Sequence, residues 1–287
     1  MSEGVIYNIR KEERTVIEQD APADIRGKTF EDYALDIALT GRSRMYYGHV
    51  SKLSNGVLEA AGAIQAGRGV ENKVSIPVSA GQVLGYIGIQ PGFDIGMWDL
   101  DREGFFSNPD RYTREYRATV SYTDYLPDAL REQIWNINPR TVEPRGGKIT
   151  YDVEGTLAGN WFIPGTKSLT EWSKQLVIAR HEKYADRVTI ADPSPLLDGD
   201  GAKNVGRASY IWWIKGNIPL PETVTPASGK IKYAVADWWK FTHQEGNPDG
   251  TLLIRMENPR QIRYQYFAGK MPDEVTEFSG EARTYVR

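Results

Sequence analysis

Apolar and polar positions alternate with a period of two along most of the chain. The alternation runs through 32–39 (DYALDIAL), 43–50 (SRMYYGHV), 82–89 (QVLGYIGI), 148–155 (KITYDVEG), 209–216 (SYIWWIKG), 230–237 (KIKYAVAD), 251–257 (TLLIRME) and 261–269 (QIRYQYFAG). Turn-forming residues punctuate these stretches, so each predicts a strand. One segment has clear helical spacing: in 126–137 (LPDALREQIWNI) Leu130, Ile134 and Ile137 share a face, with Pro127 and Asp128 suited to a first turn. The segment 168–179 (SLTEWSKQLVIA) fits either a helix or a strand beginning at Gln175. Many short strands with repeated turns point to sandwiches or barrels, and the fold class is read as mainly β.

A chain of 287 residues suits two domains. The boundary is placed in 138–148 (NPRTVEPRGGK), which carries two prolines and two glycines after the predicted helix. Residues 1–140 then form one domain and 146–287 a second. The stretch 101–112 (DREGFFSNPDRY), with its Asn108-Pro109-Asp110 turn signal, is expected to close the first domain. An echo between 146–153 (GGKITYDV) and 228–235 (SGKIKYAV) predicts two similar hairpin strands, not a repeat architecture.

Charge and composition narrow the function. Net charge is −3 with no basic tract, which leaves nucleic-acid binding without an electrostatic footprint. No apolar run is long enough for a membrane span. The N-terminus is too polar for a signal peptide, although removal of one would leave the same chain, so cytoplasmic and secreted locations both stay open. There are no cysteines, hence no disulfides and no thiolate ligands. Only His49, His181 and His243 are available for an imidazole metal site, so neither a metal nor a cofactor is expected. A Gly-x-Ser-x-Gly elbow, a phosphate loop and a dinucleotide fingerprint are all missing; the glycine-rich 199–206 (GDGAKNVG) lacks the terminal Gly-Lys-Ser/Thr and reads as a loop. Nothing in the pattern sets the oligomeric state.

Two stretches carry family resemblances. Tyr47-x-His49-x-Ser51-x-Leu53, followed by Val78-x-Ala80-Gly81-Gln82-x-Leu84-Gly85-Tyr86-Ile87-Gly88, resembles the lysostaphin-type zinc endopeptidases. That resemblance implies an antiparallel β-sheet hybrid fold, with His49 where the family keeps a catalytic histidine. It also implies a His-x-His pair on the next strand, but Phe93-Asp94-Ile95-Gly96-Met97-Trp98-Asp99 stands there without a histidine, and no histidine precedes His49. The resemblance therefore implies the scaffold without its zinc ligands. His49 is then either a general base partnered by Asp94 or a remnant bonded to backbone.

Gly159-Asn160-Trp161-Phe162 is similar to the Gly-x-Trp signature of lipocalin-like (calycin) antiparallel barrels. The resemblance implies that Trp161 packs across the barrel floor against a basic residue, for which Arg255, Arg263 and Arg287 are candidates. The end of the chain, 278–287 (FSGEARTYVR), reads as a closing strand. The interior of such a barrel, with about eight strands, either fills with side chains or holds one small ligand. Trp161, Tyr210, Trp212, Tyr233, Trp238, Tyr264 and Tyr266 would line it, giving a site for an apolar or aromatic small molecule; the alternative is that these rings simply fill a core. Binding of such a molecule is the leading expectation. The rival is a cofactor-independent hydrolase, lyase or isomerase using His49, Asp94 or Asp237 for acid–base chemistry, with Asp152 and Glu154 as further barrel carboxylates. His243 fits either a barrel-mouth base or a solvated loop position, and His181, flanked by charges, is expected to be exposed.

Overall fold

The computed structural model describes residues 3–17, 23–88, 92–167, 174–192, 210–213, 219–237, 248 and 250–287; at 192, 210–213, 236 and 237 the backbone alone is described. The fold is mainly β, in antiparallel sheets. The chain divides into two units, Met1–Glu103 with Arg114–Ile137, and Gly104–Thr113 with Asn138–Arg287.

The first unit is built on a six-stranded antiparallel sheet. Its strands are β1 (Gly4–Thr15), β2 (Thr29–Ala38), β3 (Ser43–Val50), β5 (Asn72–Val78), β7 (Asp94–Asp99) and β8 (Thr119–Val120), in the order β5-β1-β2-β3-β7-β8. A small pair, β4 (Lys52–Leu53) and β6 (Gly85–Tyr86), lies apart from it. On one face Ile6, Ile9, Leu35, Ile37, Met45 and Met97 are buried together with Leu53 and with Val57 of helix α1 (Asn55–Ala61). Ser54 caps that helix by accepting from the Val57 N–H at 3.4 Å. Among the described residues the unit's other α-helices are α2 (Arg114–Arg117) and α3 (Asp128–Ile137).

Two places break the sheet's alternation. Between Ile6 and Asn8 the β1–β2 register gains a residue on β1, so Tyr7 has no opposite number. Between Tyr33 and Leu35 the partner on β3 advances from Val50 to Tyr47, so β3 carries one extra residue at Gly48–His49. Such bulges re-aim side chains, and both bear on the site described below.

The second unit is a meander of β9 (Gly159–Phe162), β10 (Gln175–Arg180), β11 (Val188–Asp192), β12 (Tyr210–Trp213), β13 (Lys230–Asp237), β14 (Gly250–Asn258), β15 (Gln261–Ala268) and β16 (Arg283–Val286). The order closes when β16 returns to β9 through Val286 and Phe162. Inward positions such as Leu176, Ile178, Ile190, Val235, Leu252, Ile254 and Ile262 alternate along these strands and make the core.

Several expectations from the sequence are corrected. Residues 148–155 are not a strand, and their likeness to 230–237 is therefore not structural. The carbonyls of Val153, Thr156, Leu157 and Ala158 turn toward the Arg287 guanidinium and not toward a neighbouring strand. Of the predicted strand 82–89, residue 89 lies outside those described, and within 82–88 only Gly85–Tyr86 forms a strand; a Cβ on Gly85 would lie 2.6 Å from the Lys52 carbonyl. Segment 168–179 resolves to a strand from Gln175, its residues 168–173 lying outside those described. Helix α3 forms where spacing predicts, but Leu130 and Ile137 are exposed rather than a buried stripe. Gly104–Thr113 belongs with the second unit, not the first: Ser107 N–H donates to Asp152 at 2.8 Å, Asn160 donates to the Tyr112 hydroxyl at 2.9 Å, and Phe106, Tyr112 and Phe162 pack ring on ring. His181 is buried, at 7% exposure. Its flanking charges point outward while its Nδ1 accepts the Lys183 and Tyr184 backbone N–H groups at 2.9 and 3.3 Å.

Candidate functional site

The face of the first sheet opposite the core carries Asn8 and Arg10 from β1, Asp32 and Asp36 from β2, Tyr46 and Gly48 from β3, and Asp94, Gly96 and Trp98 from β7. Register brings them together: Asn8 stands opposite Asp36, Asp36 opposite Tyr46, Tyr46 opposite Gly96, and Gly48 opposite Asp94. Strict alternation would place His49 on the other face, with Met45 and Tyr47. Instead the bulge gives His49 a φ of 59°, and among the described residues no other non-glycine has a positive φ. Histidine is among the residues that tolerate this region better than most. The backbone twist swings the imidazole to the Asp32 and Asp94 side.

There the ring is held between two carboxylates. Nδ1 lies 2.9 Å from Asp32 Oδ2 and Nε2 lies 3.5 Å from Asp94 Oδ2. A carboxylate at this distance only accepts, so Nδ1 is assigned as the donor to Asp32, and Nε2 faces Asp94 and solvent. Asp32 is mostly enclosed (15% exposed), whereas Asp94 is open at 61%. The second oxygen of Asp32 is buried without a hydrogen-bond partner. Asp36 takes 2.7 Å and 3.1 Å bonds from Asn8 Nδ2 and Arg10 Nη2. The Arg10 guanidinium also stands 5.3 Å over the Tyr46 ring.

Glycine makes room for the phenol. A Cβ on Gly48 would collide with the Tyr46 hydroxyl and approach its Cζ to 2.8 Å, so the ring lies along β3 over Gly48. Trp98 meets it edge-on, with centroids 6.5 Å apart. Burial pushes the Tyr46 phenol above its ordinary range; Arg10 opposes this, and Asp94, Asp36 and Asp32 reinforce it.

The barrel residues are arranged differently. Trp161 is fully enclosed, donates from Nε1 to the Leu157 carbonyl at 2.9 Å, and lies 3.8 Å beneath the Arg287 guanidinium; Arg255 and Arg263 do not take that place. Arg287 also donates to the carbonyls of Thr156, at 2.9 Å, and Ala158, and burial pushes its guanidinium down to about 10. Tyr233 is enclosed and donates to the Pro219 carbonyl at 2.8 Å; burial raises its phenol. Tyr264 packs edge-on against Tyr285 at 5.5 Å, and Tyr266 is half-buried against the same core. Tyr210, Trp212 and Asp237 are described in backbone only, with Trp212 opposite Asp237 in the β12–β13 ladder. Trp238 and His243 lie outside the described residues. Asp152 is buried as a hub for two backbone N–H groups, from Ser107 and Asn160, and Glu154 is exposed.

The structure thus brings His49 and Asp94 together and places Asp237 in the other unit. Sequence reasoning missed Asp32, Asp36, Arg10, Asn8 and Tyr46. The signal for the first two was present: in 32–37 they alternate with the buried Tyr33, Leu35 and Ile37, so both had to share the polar face. Among the described residues no group of three or more His, Cys, Asp or Glu side chains is placed to hold a metal ion, and no helix is long and apolar enough to cross a membrane. Comparison of the chain with protein-family models, curated proteins and solved structures finds no match.

Proposed function

We propose that the first unit is a metal-independent acid–base site whose working group is His49, and that the chain acts as a hydrolase, lyase or isomerase. The observation that carries this reading is the left-handed bulge that turns the imidazole out of the core and between Asp32 and Asp94. Sparsely populated backbone conformations concentrate at functional sites, where surrounding structure holds them. Asp32 orients the ring and fixes its tautomer; Nε2 is left as the base facing the open side. Asp94, exposed and 3.5 Å away, is able to turn outward and admit a substrate proton in its place. Both ring nitrogens face carboxylate oxygens, so a proton leaving the ring has an acceptor beside it. It also fits a degenerate lysostaphin-like scaffold in which His49 and Asp94 sit on paired strands.

A second reading concerns the barrel. Its meander, its closure through β9 and the seating of Arg287 on Trp161 support a lipocalin-like assignment. Trp161, Tyr233 and Tyr264 are enclosed by core neighbours, so among the described residues these rings fill the core, and binding of an apolar or aromatic molecule would need a lining other than them.

The test is a panel of neutral esters, hydroxy-carbonyl compounds and enolisable ketones, assayed with a chelator present, comparing wild type with His49→Asn and Asp32→Asn. Asparagine also tolerates positive φ, so the bulge survives. General-base removal lowers turnover by about 10²–10⁴-fold. Turnover indifferent to His49→Asn, or no turnover on any member, overturns the proposal.

A further inference from the structure

We infer that Tyr46 is the proton donor paired with His49, and that the pair takes a small neutral carbonyl compound bearing an acidic C–H beside the carbonyl. The inference rests on the acid–base reading of His49 and adds a second catalytic residue and a substrate class.

Three observations lead to it. First, Gly48 is the residue before His49 and stands opposite Asp94, and the Tyr46 hydroxyl fills the space that a side chain at 48 would occupy. The phenol therefore lies beside the strand position that carries the imidazole and across from the carboxylate that faces Nε2. Secondly, Tyr46 feels the same two carboxylates that hold His49, together with Asp36; these and its burial keep it a phenol, a group with a proton to give. Thirdly, the charges select the substrate. Asp32, Asp36 and Asp94 line the face around His49, and Arg10 is already committed to Asp36 at 3.1 Å, so an anionic substrate meets repulsion beside the imidazole. Trp98 adds an apolar edge beside the phenol.

The step balances without a further reagent. His49 Nε2 takes the proton from the carbon next to the carbonyl, and the C–H electron pair becomes the new C=C bond. The carbonyl π pair moves to oxygen, which receives the Tyr46 proton. The product is the enol isomer; the imidazolium and phenolate left behind return to their starting forms when the proton passes from one to the other through solvent. Return of a proton to a different carbon completes an isomerisation.

Acetohydroxamic acid tests this on the full chain, because it is uncharged at neutral pH and offers an acidic proton and a carbonyl oxygen in the same small molecule. Binding is followed by calorimetry and by the ring resonances of His49 in histidine-labelled protein, with acetate as the anionic control. The expected result is saturable binding to wild type, no binding of acetate, and at least tenfold weaker binding to Tyr46→Phe and to His49→Asn. Gly48→Ala, which displaces the phenol and leaves its chemistry intact, should weaken binding like Tyr46→Phe while the melting temperature of Tyr46→Phe stays near wild type. No saturable binding to wild type overturns the inference. Loss in His49→Asn with none in Tyr46→Phe leaves the His49 reading standing and removes Tyr46; loss in Tyr46→Phe alone removes His49, and the pair with it.

Discussion

Replacing Arg287 by methionine asks whether a buried cation stabilises the barrel or burdens it. Burial pushes the guanidinium well below its ordinary value, to about 10, which at ~1.4 kcal/mol per pH unit sets roughly 3 kcal/mol against the charged form. Below pH 10 the group is protonated in both folded and unfolded chains, so this cost is present in full at pH 7 and declines only as pH rises through 10. Against it stand the bonds to the Thr156 and Ala158 carbonyls, a longer contact to Asn160 at 3.3 Å, and the Trp161 face at 3.8 Å. Charged hydrogen bonds contribute about 1.5–3 kcal/mol each and a desolvated cation–π contact about 2 kcal/mol. The favourable side is the larger by about 2–4 kcal/mol. Methionine fills much of the volume, removes the burial cost and leaves those carbonyls without donors. Urea unfolding of the full chain, followed by tryptophan fluorescence, should show the barrel transition destabilised by about 2–4 kcal/mol in Arg287→Met, and by less in Arg287→Lys, which keeps the charge. An Arg287→Met protein as stable as wild type would mean that desolvation outweighs the clamp and that this reasoning fails.

Three further outcomes are expected. Burial lowers the His181 pKa below 6.5, with neighbouring Glu182 opposing; the unfolded chain then binds the proton more tightly, so stability present above pH 6.5 is lost as pH falls toward the folded value. Melting temperature measured from pH 8 to pH 5 should fall more steeply in wild type than in His181→Asn, whose side-chain oxygen replaces the accepting nitrogen without titrating; equal slopes would contradict it. His49→Val should cost about 1–2 kcal/mol more than His49→Gly at φ 59°, because glycine adopts that backbone freely while both lose the bond to Asp32; calorimetric melts decide. Asp152→Ala should loosen Gly104–Thr113 by removing the acceptor of the Ser107 and Asn160 N–H groups, at about 2–4 kcal/mol, with faster amide exchange at Ser107 as the readout; unchanged exchange would show that ring packing alone holds the segment.

Strands whose period-two pattern matched their burial were legible in the sequence. In 230–237 and 261–269 the apolar alternation is the inward face of the closed sheet, and in 32–39 it separates Tyr33, Leu35 and Ile37 from the aspartates. Strand β1 was not, because its outer half runs Lys11-Glu12-Glu13-Arg14 and, among the described residues, that half pairs with β2 alone, where both faces meet water. The reverse error came at 148–155, where Ile149, Tyr151 and Val153 alternate as a strand would. There the deciding interactions are long-range, from Ser107 and Arg287, and leave no local trace. His181 was misread for a similar reason: its charged neighbours describe the outside of a turn whose inside is bonded by its own ring.

The candidate site depends on what periodicity cannot express. Had β1 kept strict alternation, Asn8 would share the face of Ile6 and enter the core; the unpaired Tyr7 lets Ile6 and Ile9 stay buried while Asn8 and Arg10 turn to Asp36. Had β3 kept it, His49 would lie with Met45 and Tyr47 among apolar side chains, where an imidazole without partners is costly. The extra residue on each strand moves a polar group from the wrong face to the one where carboxylates wait. A one-residue insertion on each strand therefore does two things at once: it removes a polar burden from the core, and it assembles Asn8, Arg10, Asp32, Asp36, Tyr46, His49 and Asp94 on one face of the sheet. Core stability alone would be served as well by an apolar residue at 49 in regular register. The positive φ retained there is a strain the core does not need, and that is the physical reason to look for function at His49.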